Sequence, residues 1–251
     1  MDIFAAVGTI VGVGFILVAQ ALEGGNVGQL IQITAAMIVF GGTLGATIAT
    51  FAPSDLMTAI EMIKYVWFPP KVNYQALIKE IVGFATKARK EGVIVLEKEA
   101  KSASDPLMTL GLEAVADGAD PSLVQGMMEN QITQLQEKVE GGAKVFESAG
   151  AYSPTLGIIG AVLGLIQVMN NLSDPSKLGA GIAVAFVATV YGLFAANLVL
   201  LPMSTRIKFN FKKLFLGKEI MLEGILAIQA GESPALIERK LQSYLLGKIG
   251  K

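Results

Sequence analysis

Four stretches of the chain carry no Asp, Glu, Lys or Arg: Ile3 to Leu22, Gly24 to Ser54, Ser148 to Ser173 and Leu178 to Thr205. A helix rises about 1.5 Å per residue, so about 20 apolar residues cross about 30 Å of hydrocarbon. All four stretches are therefore predicted to span a membrane, the last three with polar loop edges. Between the second and third, and after the fourth, the pattern changes to amphipathic helices. Leu56, Ile60, Ile63 and Trp67 form one apolar stripe behind a candidate cap, Ser54, with Tyr65, Trp67 and Phe68 suited to a membrane surface. Pro69-Pro70 ends that helix. A second stripe runs through Tyr74, Leu77, Ile78, Ile81, Phe84, Ala85 and Ala88 until Gly92 interrupts it. Asp105-Pro106, Asp120-Pro121 and Ser233-Pro234 read as helix starts with proline in the first turn. From Pro121 one long helix runs toward the third span, with a possible bend at Gly141-Gly142, and the last helix carries Leu236, Ile237, Leu241 and Leu245. No repeat and no strand-like alternation is present, so the expected fold is all-α: a four-span membrane protein with cytoplasmic helices.

Charge placement orients this pattern. Of 20 Lys and Arg, ten lie between Asp55 and Glu147, nine lie from Arg206 onward, and only Lys177 sits in a short interhelical loop. By the positive-inside rule the large middle segment and the tail are cytoplasmic, as are both termini. The expected divisions are 1–53 for the first two spans, 54–147 for the cytoplasmic helical domain, 148–203 for the last two spans and 204–251 for an amphipathic tail. Ala19-Gln20-Ala21 imitates a signal-peptide cleavage site, but Asp2 replaces the basic region such a peptide needs, so the first stretch is expected to stay as a span.

Composition then narrows the chemistry. The chain of 251 residues is 53% hydrophobic and 16% charged, with a mean hydropathy of +0.57, beyond the range of ordinary soluble domains. It has no Cys and no His, which removes disulfides, thiolate and imidazole metal sites and histidine catalysis. A net charge of −1 gives no basic footprint for nucleic acid. Gly8, Gly12 and Gly14 lie inside an apolar span without strand and turn context, so they mark helix packing and not a dinucleotide site. No cofactor, metal or catalytic residue is expected.

The spans themselves lack any Asp, Glu, Lys, Arg or His; Tyr191 in the fourth titrates only at high pH. Proteins that move ions through lipid keep such a group at depth to bind and release charge. Either this chain moves no ions or a partner supplies the group. The last two spans offer small and polar surface instead. In SPTLGIIGAVLGLI (Ser153 to Ile166), Gly157 with Ala161 and Gly160 with Gly164 are small pairs at the spacing that lets helix backbones approach in lipid. Thr189, Tyr191 and Asn197 add polar atoms to the fourth span, and Gly192 adds room. Pro154 and Pro202 bracket the pair at one end, where a proline frees a carbonyl and permits a hinge.

These residues carry a resemblance to the MotA family of flagellar stator subunits, which includes the sodium-type PomA proteins. LEGG (Leu22 to Gly25), FGGTLGAT (Phe40 to Thr47), the third-span SPTLGIIGAVLGLI and AFVATVYGLFAANLVLLP (Ala185 to Pro202) are similar to that family. The last places Thr189, Gly192 and Pro202 in the family's spacing. The resemblance implies a bacterial inner-membrane protein in which five copies surround two MotB chains. Each MotB is a one-span, peptidoglycan-binding subunit whose helix carries the ion-binding aspartate. It implies Thr189, Ala161, Thr155 and Tyr191 along the ion pathway, Pro154 and Pro202 coupling ion flow to movement, and Gly157, Gly160, Gly164 and Gly192 packing helices. Ala161 falls where sodium-type members carry a threonine, which implies proton coupling. Arg89, Lys90 and Glu97 match the family's charged contact with the rotor protein FliG. Two alternatives remain: a TolQ or ExbB-like energiser, which typically has three spans, and a non-conducting membrane scaffold.

Overall fold

The computed structural model describes residues 3–246, and every element among them is helical. Asp2 and the end of the tail, residues 247–251, lie outside the described residues. The chain divides into two compact units, Met1–Pro69 with Lys138–Asn210, and Pro70–Glu137 with Phe211–Lys251. The divisions fall inside two long helices, because those helices continue past the ends of their apolar stretches without a break.

In the first unit, α1 is Ile3–Leu22. A turn at Asn26 follows, in which the Asn26 side chain accepts from Gly28 N (2.9 Å) and Gln29 Oε1 accepts from Asn26 N (3.2 Å). The second stretch forms α2, Ile33–Thr50, with a π-helical segment at Met37–Gly41. Next comes α3, Pro53–Trp67, whose cap is Ala52 with Pro53 in the first turn. Ser54 is therefore inside the helix and not its cap.

The expected stripe on α3 is also rotated. Ala59, Met62 and Val66 are buried, whereas Ile60 is 60% and Trp67 36% exposed. The cause is the long helix α7, Pro121–Asn170, which runs 50 residues straight through Gly141-Gly142. A Cβ on Gly142 would lie 3.0 Å from Thr58 Cγ2 and 3.5 Å from Ala59 N. Gly142 thus makes room for α3, where the Met62 sulfur would lie 2.7 Å from such a Cβ and both Ala59 and Met62 are buried. The fourth stretch begins α8, residues 175–229, in which Ala195–Leu200 is π-helical. Among the described residues three helices are long and apolar enough to cross a membrane, namely α2, α7 and α8; the described side chains of α1, Val7–Leu22, form a shorter apolar helix.

In the second unit the amphipathic stripes are buried. The helices are α4 (Tyr74–Glu91), α5 (Val95–Ala100), α6 (Pro106–Ala116), parts of α7 and α8, and α9 (Pro234–Leu246). Ile78 and Ile81 of α4, Leu112 of α6, Met128 of α7, Ile220 of α8 and Leu241 of α9 share one core. The stripe expected on α9 holds at Ile237, Leu241 and Leu245, while Leu236 is 52% exposed. Each proline start carries a cap: Asp105 accepts from Leu107 N and Asp120 from Ser122 N, both at 2.9 Å, and Ser233 Oγ from Leu236 N at 3.3 Å. Asp105 also holds Lys218 Nζ at 2.6 Å, where the lysine side chain is only 13% exposed. On the α8–α9 hairpin, hydrogen bonding to Glu223 raises the Lys240 pKa above its ordinary value, against an opposing burial effect. Its stabilisation is complete below the unfolded lysine pKa and is lost as pH rises through the raised value.

Asp105 combines a cap and a half-buried ion pair. Asp105→Ala is expected to lower stability by about 1–2 kcal/mol from the cap alone, with more from the stranded lysine. Asp105→Asn, which keeps a capping oxygen, should lose less. Denaturant unfolding of the purified protein checks this, and equal losses in the two variants would contradict the assignment.

Candidate functional site: a glycine seam between two apolar helices

Across the apolar parts of α7 and α8 the backbones meet with almost nothing between them. A Cβ on Gly192 would lie 2.6 Å from the Ser153 carbonyl oxygen and 3.1 Å from Pro154 Cα. On Gly157 it would lie 2.9 Å from the Ala188 carbonyl, and on Gly160 2.5 Å from Ala188 Cβ. On Gly164 it would lie 2.7 Å from both Ala185 N and the Gly181 carbonyl. Real side chains do not reach such distances from backbone, so each glycine is required for the approach. The seam glycines of α7 thus pack against the same chain's α8. Behind them Ala35 and Val39 of α2 pack on Val187 and Ala188 of α8 in a second small-residue contact.

The polar residues of the seam are mostly satisfied within their own helices. Thr189, half-buried, donates to the Ala185 carbonyl at 3.1 Å, and exposed Thr155 donates to the Tyr152 carbonyl at 2.7 Å. Asn197 donates to the Leu193 carbonyl at 2.9 Å, beside the π-helical segment. Ala161 is half-buried, one turn beyond Gly157. Tyr191, expected along the pathway, also ties the fourth apolar stretch to the second. Its hydroxyl donates to the Leu30 carbonyl (2.5 Å) and accepts from Gln32 N (3.2 Å), and its ring stacks on Phe40 at 5.6 Å. Both polar capacities of that hydroxyl are committed to the turn that opens α2.

Pro154 lies inside α7 and has no N–H for the Gly150 carbonyl. Pro202 follows the π-helical Ala195–Leu200 by two residues. A π-bulge widens the helix locally and often marks a functional position. Ser153, beside Pro154, was not singled out by sequence, because a Ser-Pro pair reads as a helix start. It is 0% exposed, and its Oγ has no hydrogen-bond partner among the described residues. The Gly150 carbonyl lies three residues back along the same helix, a separation that a serine hydroxyl spans in its other rotamers.

In the second unit, Arg89 and Lys90 close α4 and Glu97 lies in the first turn of α5. All three are exposed, and none forms an ion pair among the described residues, whereas the nearby Lys87 pairs with Glu99 at 2.6 Å. Gly92 turns the chain between them at φ +85°. That turn presents Val93 at 39% and Ile94 at 74% exposure, an apolar tip that sequence reasoning missed because two residues make no stripe.

Three long apolar helices, joined by small-residue contacts and free of Asp, Glu, Lys, Arg and His along their apolar stretches, define a multi-pass membrane protein. The chain belongs to the MotA/TolQ/ExbB proton channel family, whose pattern matches residues 99–220. It is 34% identical to Motility protein A of Helicobacter pylori over 245 residues, covering 98% of this chain and 95% of that protein. Chemotaxis protein PomA of Vibrio alginolyticus is 29% identical over 98% of this chain and 96% of its own length. Among solved structures, C. jejuni MotAB superposes with a TM-score of 0.90 at 29% identity, covering 97% of this chain and 96% of that chain. The flagellar MotAB stator complex from Bacillus subtilis gives 0.87 at 27% identity, covering 100% and 99%.

The seam predicts a contrast between glycines. Gly192→Ala should separate α7 from α8 and lower the yield and thermal midpoint of protein extracted from membranes. Gly14→Ala, where a Cβ would meet nothing within 4 Å, should leave both unchanged. Equal behaviour of the two variants would remove the seam from the account.

Proposed function

We propose that this chain is the multi-span subunit of a flagellar stator, forming a proton channel with a MotB-like one-span subunit and turning ion flow into torque on the rotor protein FliG. The observation that carries the reading is that the apolar stretches of α7 and α8, already packed on each other through their glycines, hold no carboxylate of their own and turn an apolar face away from that seam. Such a surface suits a partner helix that brings the titrating group. A carboxylate against apolar walls has its charged form disfavoured, so loading a proton changes its contacts with the surrounding helices. Each elementary charge crossing 100 mV releases about 2.3 kcal/mol, enough to bias one small step and not to build a large interface.

In this reading four spans cross the bacterial inner membrane with both termini in the cytoplasm, and the helical segment between the second and third spans is cytoplasmic. Five copies surround two MotB-like chains. Thr189 and Ala161 border the pathway, and the alanine, which offers no oxygen ligand, favours protons over sodium. Pro154 and Pro202 are the hinges, each set inside a helix that extends beyond its apolar stretch. Arg89, Lys90 and Glu97, exposed and without ion partners among the described residues, contact the rotor.

Thr189→Val or Pro154→Leu is expected to abolish swimming while the protein stays in the membrane. Arg89→Glu should reduce torque, with partial recovery when the facing charge on the rotor is reversed. Normal swimming in both span variants would sink the channel assignment. Swimming that stops on sodium removal and survives a protonophore would overturn the choice of ion.

A further inference from the structure

Beside Pro202 the first unit contains a partly enclosed cavity of about 150 Å³, lined by Thr9 of α1, Val66 and Trp67 of α3, and Leu198, Val199, Pro202, Met203 and Arg206 of α8. Its walls are apolar except at two places, Thr9 and Arg206. Arg206 is the first charge after the fourth apolar stretch, so it stands where hydrocarbon gives way to the polar headgroup layer. Its guanidinium lies 5.8 Å from the centre of the Phe209 ring. Near it Trp67 and Phe209 are 36% and 53% exposed, aromatics of the kind found at membrane interfaces. A shallower depression lined by Asn197, Leu201, Thr205 and Phe209 shares both Pro202 and Arg206 with the cavity.

We propose that this cavity binds an anionic phospholipid of the inner leaflet, its phosphate on Arg206 and an acyl segment against Leu198, Val199 and Trp67. The charge argument selects the occupant. A cation at the mouth of an apolar cavity, at the level of the headgroups, matches an amphiphile that is negative at one end and hydrocarbon at the other. A cytoplasmic peptide would not need a hydrocarbon-lined interior, and a free phosphate would leave the apolar walls unfilled. The site includes the hinge proline and abuts the π-helical segment Ala195–Leu200, whose Leu198 and Val199 form part of its wall. An acyl chain there would pack on Pro202 and on Leu198 and Val199 of the π-helical segment, so bound lipid bears directly on that hinge. The inference rests on the membrane reading above, but its readout is lipid retention and not motility, so the two fail separately.

The test uses the complete complex with its one-span partner, purified in detergent and in nanodiscs of neutral phosphatidylcholine with or without phosphatidylglycerol, with retained lipid counted by native mass spectrometry. The wild type is expected to retain phosphatidylglycerol in preference to phosphatidylcholine. Arg206→Gln should reduce that preference at least several-fold, and Val199→Trp, which fills the cavity and keeps the charge, should reduce retention of both lipids. Competition by inorganic phosphate alone would identify a free-anion site and overturn the lipid assignment. Retention unchanged in both variants would overturn it as well. So would efficient cross-linking of Thr9→Cys to a second copy carrying Val199→Cys, because a neighbouring subunit would then fill the cavity; the chain has no native cysteine to confuse that result.

Discussion

At Gly157, Gly160, Gly164 and Gly192 the backbones of α7 and α8 come so close that no side chain fits between them. In lipid there is no hydrophobic gain from joining two apolar helices, since the acyl chains are as apolar as leucine. Close van der Waals approach supplies the association instead. Glycine is costly in a helix, by about 1 kcal/mol each against alanine, and is retained here because any Cβ would push the seam apart. The positions of Pro154, Thr189 and Ala161 relative to one another depend on that contact. So does the pairing of α2 with α8 through Ala35, Val39, Val187 and Ala188.

The two units solve different solvent problems with the same secondary structure. The second buries its large aliphatic side chains in one core and leaves charge outside. The first turns Phe15, Ile33 and Phe186 outward at 74%, 74% and 72% exposure, an arrangement that suits hydrocarbon and would aggregate in water. On α3 the contact with Gly142 sets the buried face, with Ala59 and Met62 inward and Met57 and Ile60 outward.

Much of this was legible in the sequence. The charge-free stretches located the apolar helices, and Asp-Pro and Ser-Pro pairs located three helix starts, because capping is chemistry within a few residues. The stripe on α4 was correct to the residue, since a water-facing helix obeys the ordinary amphipathic rule. The failures share a cause, which is that the deciding contact was distant in sequence. The packing role of Gly142 was missed because its partner lies on α3. The hydrogen bonds of Tyr191 were missed because Leu30 and Gln32 are far along the chain. Ser153 and the tip at Val93 and Ile94 left no periodic signal, and only their burial or exposure in the fold marks them.

The four charge-free stretches contain no Asp, Glu, Lys, Arg or His, so in the proposed channel the titrating carboxylate is the partner's. Proton flux into proteoliposomes under an imposed potential measures that directly, comparing this chain alone, its complex with the one-span partner, and the complex with the partner's intramembrane aspartate changed to asparagine. The prediction is flux from the intact complex only. Flux through the chain alone, or undiminished flux through the asparagine complex, would contradict it.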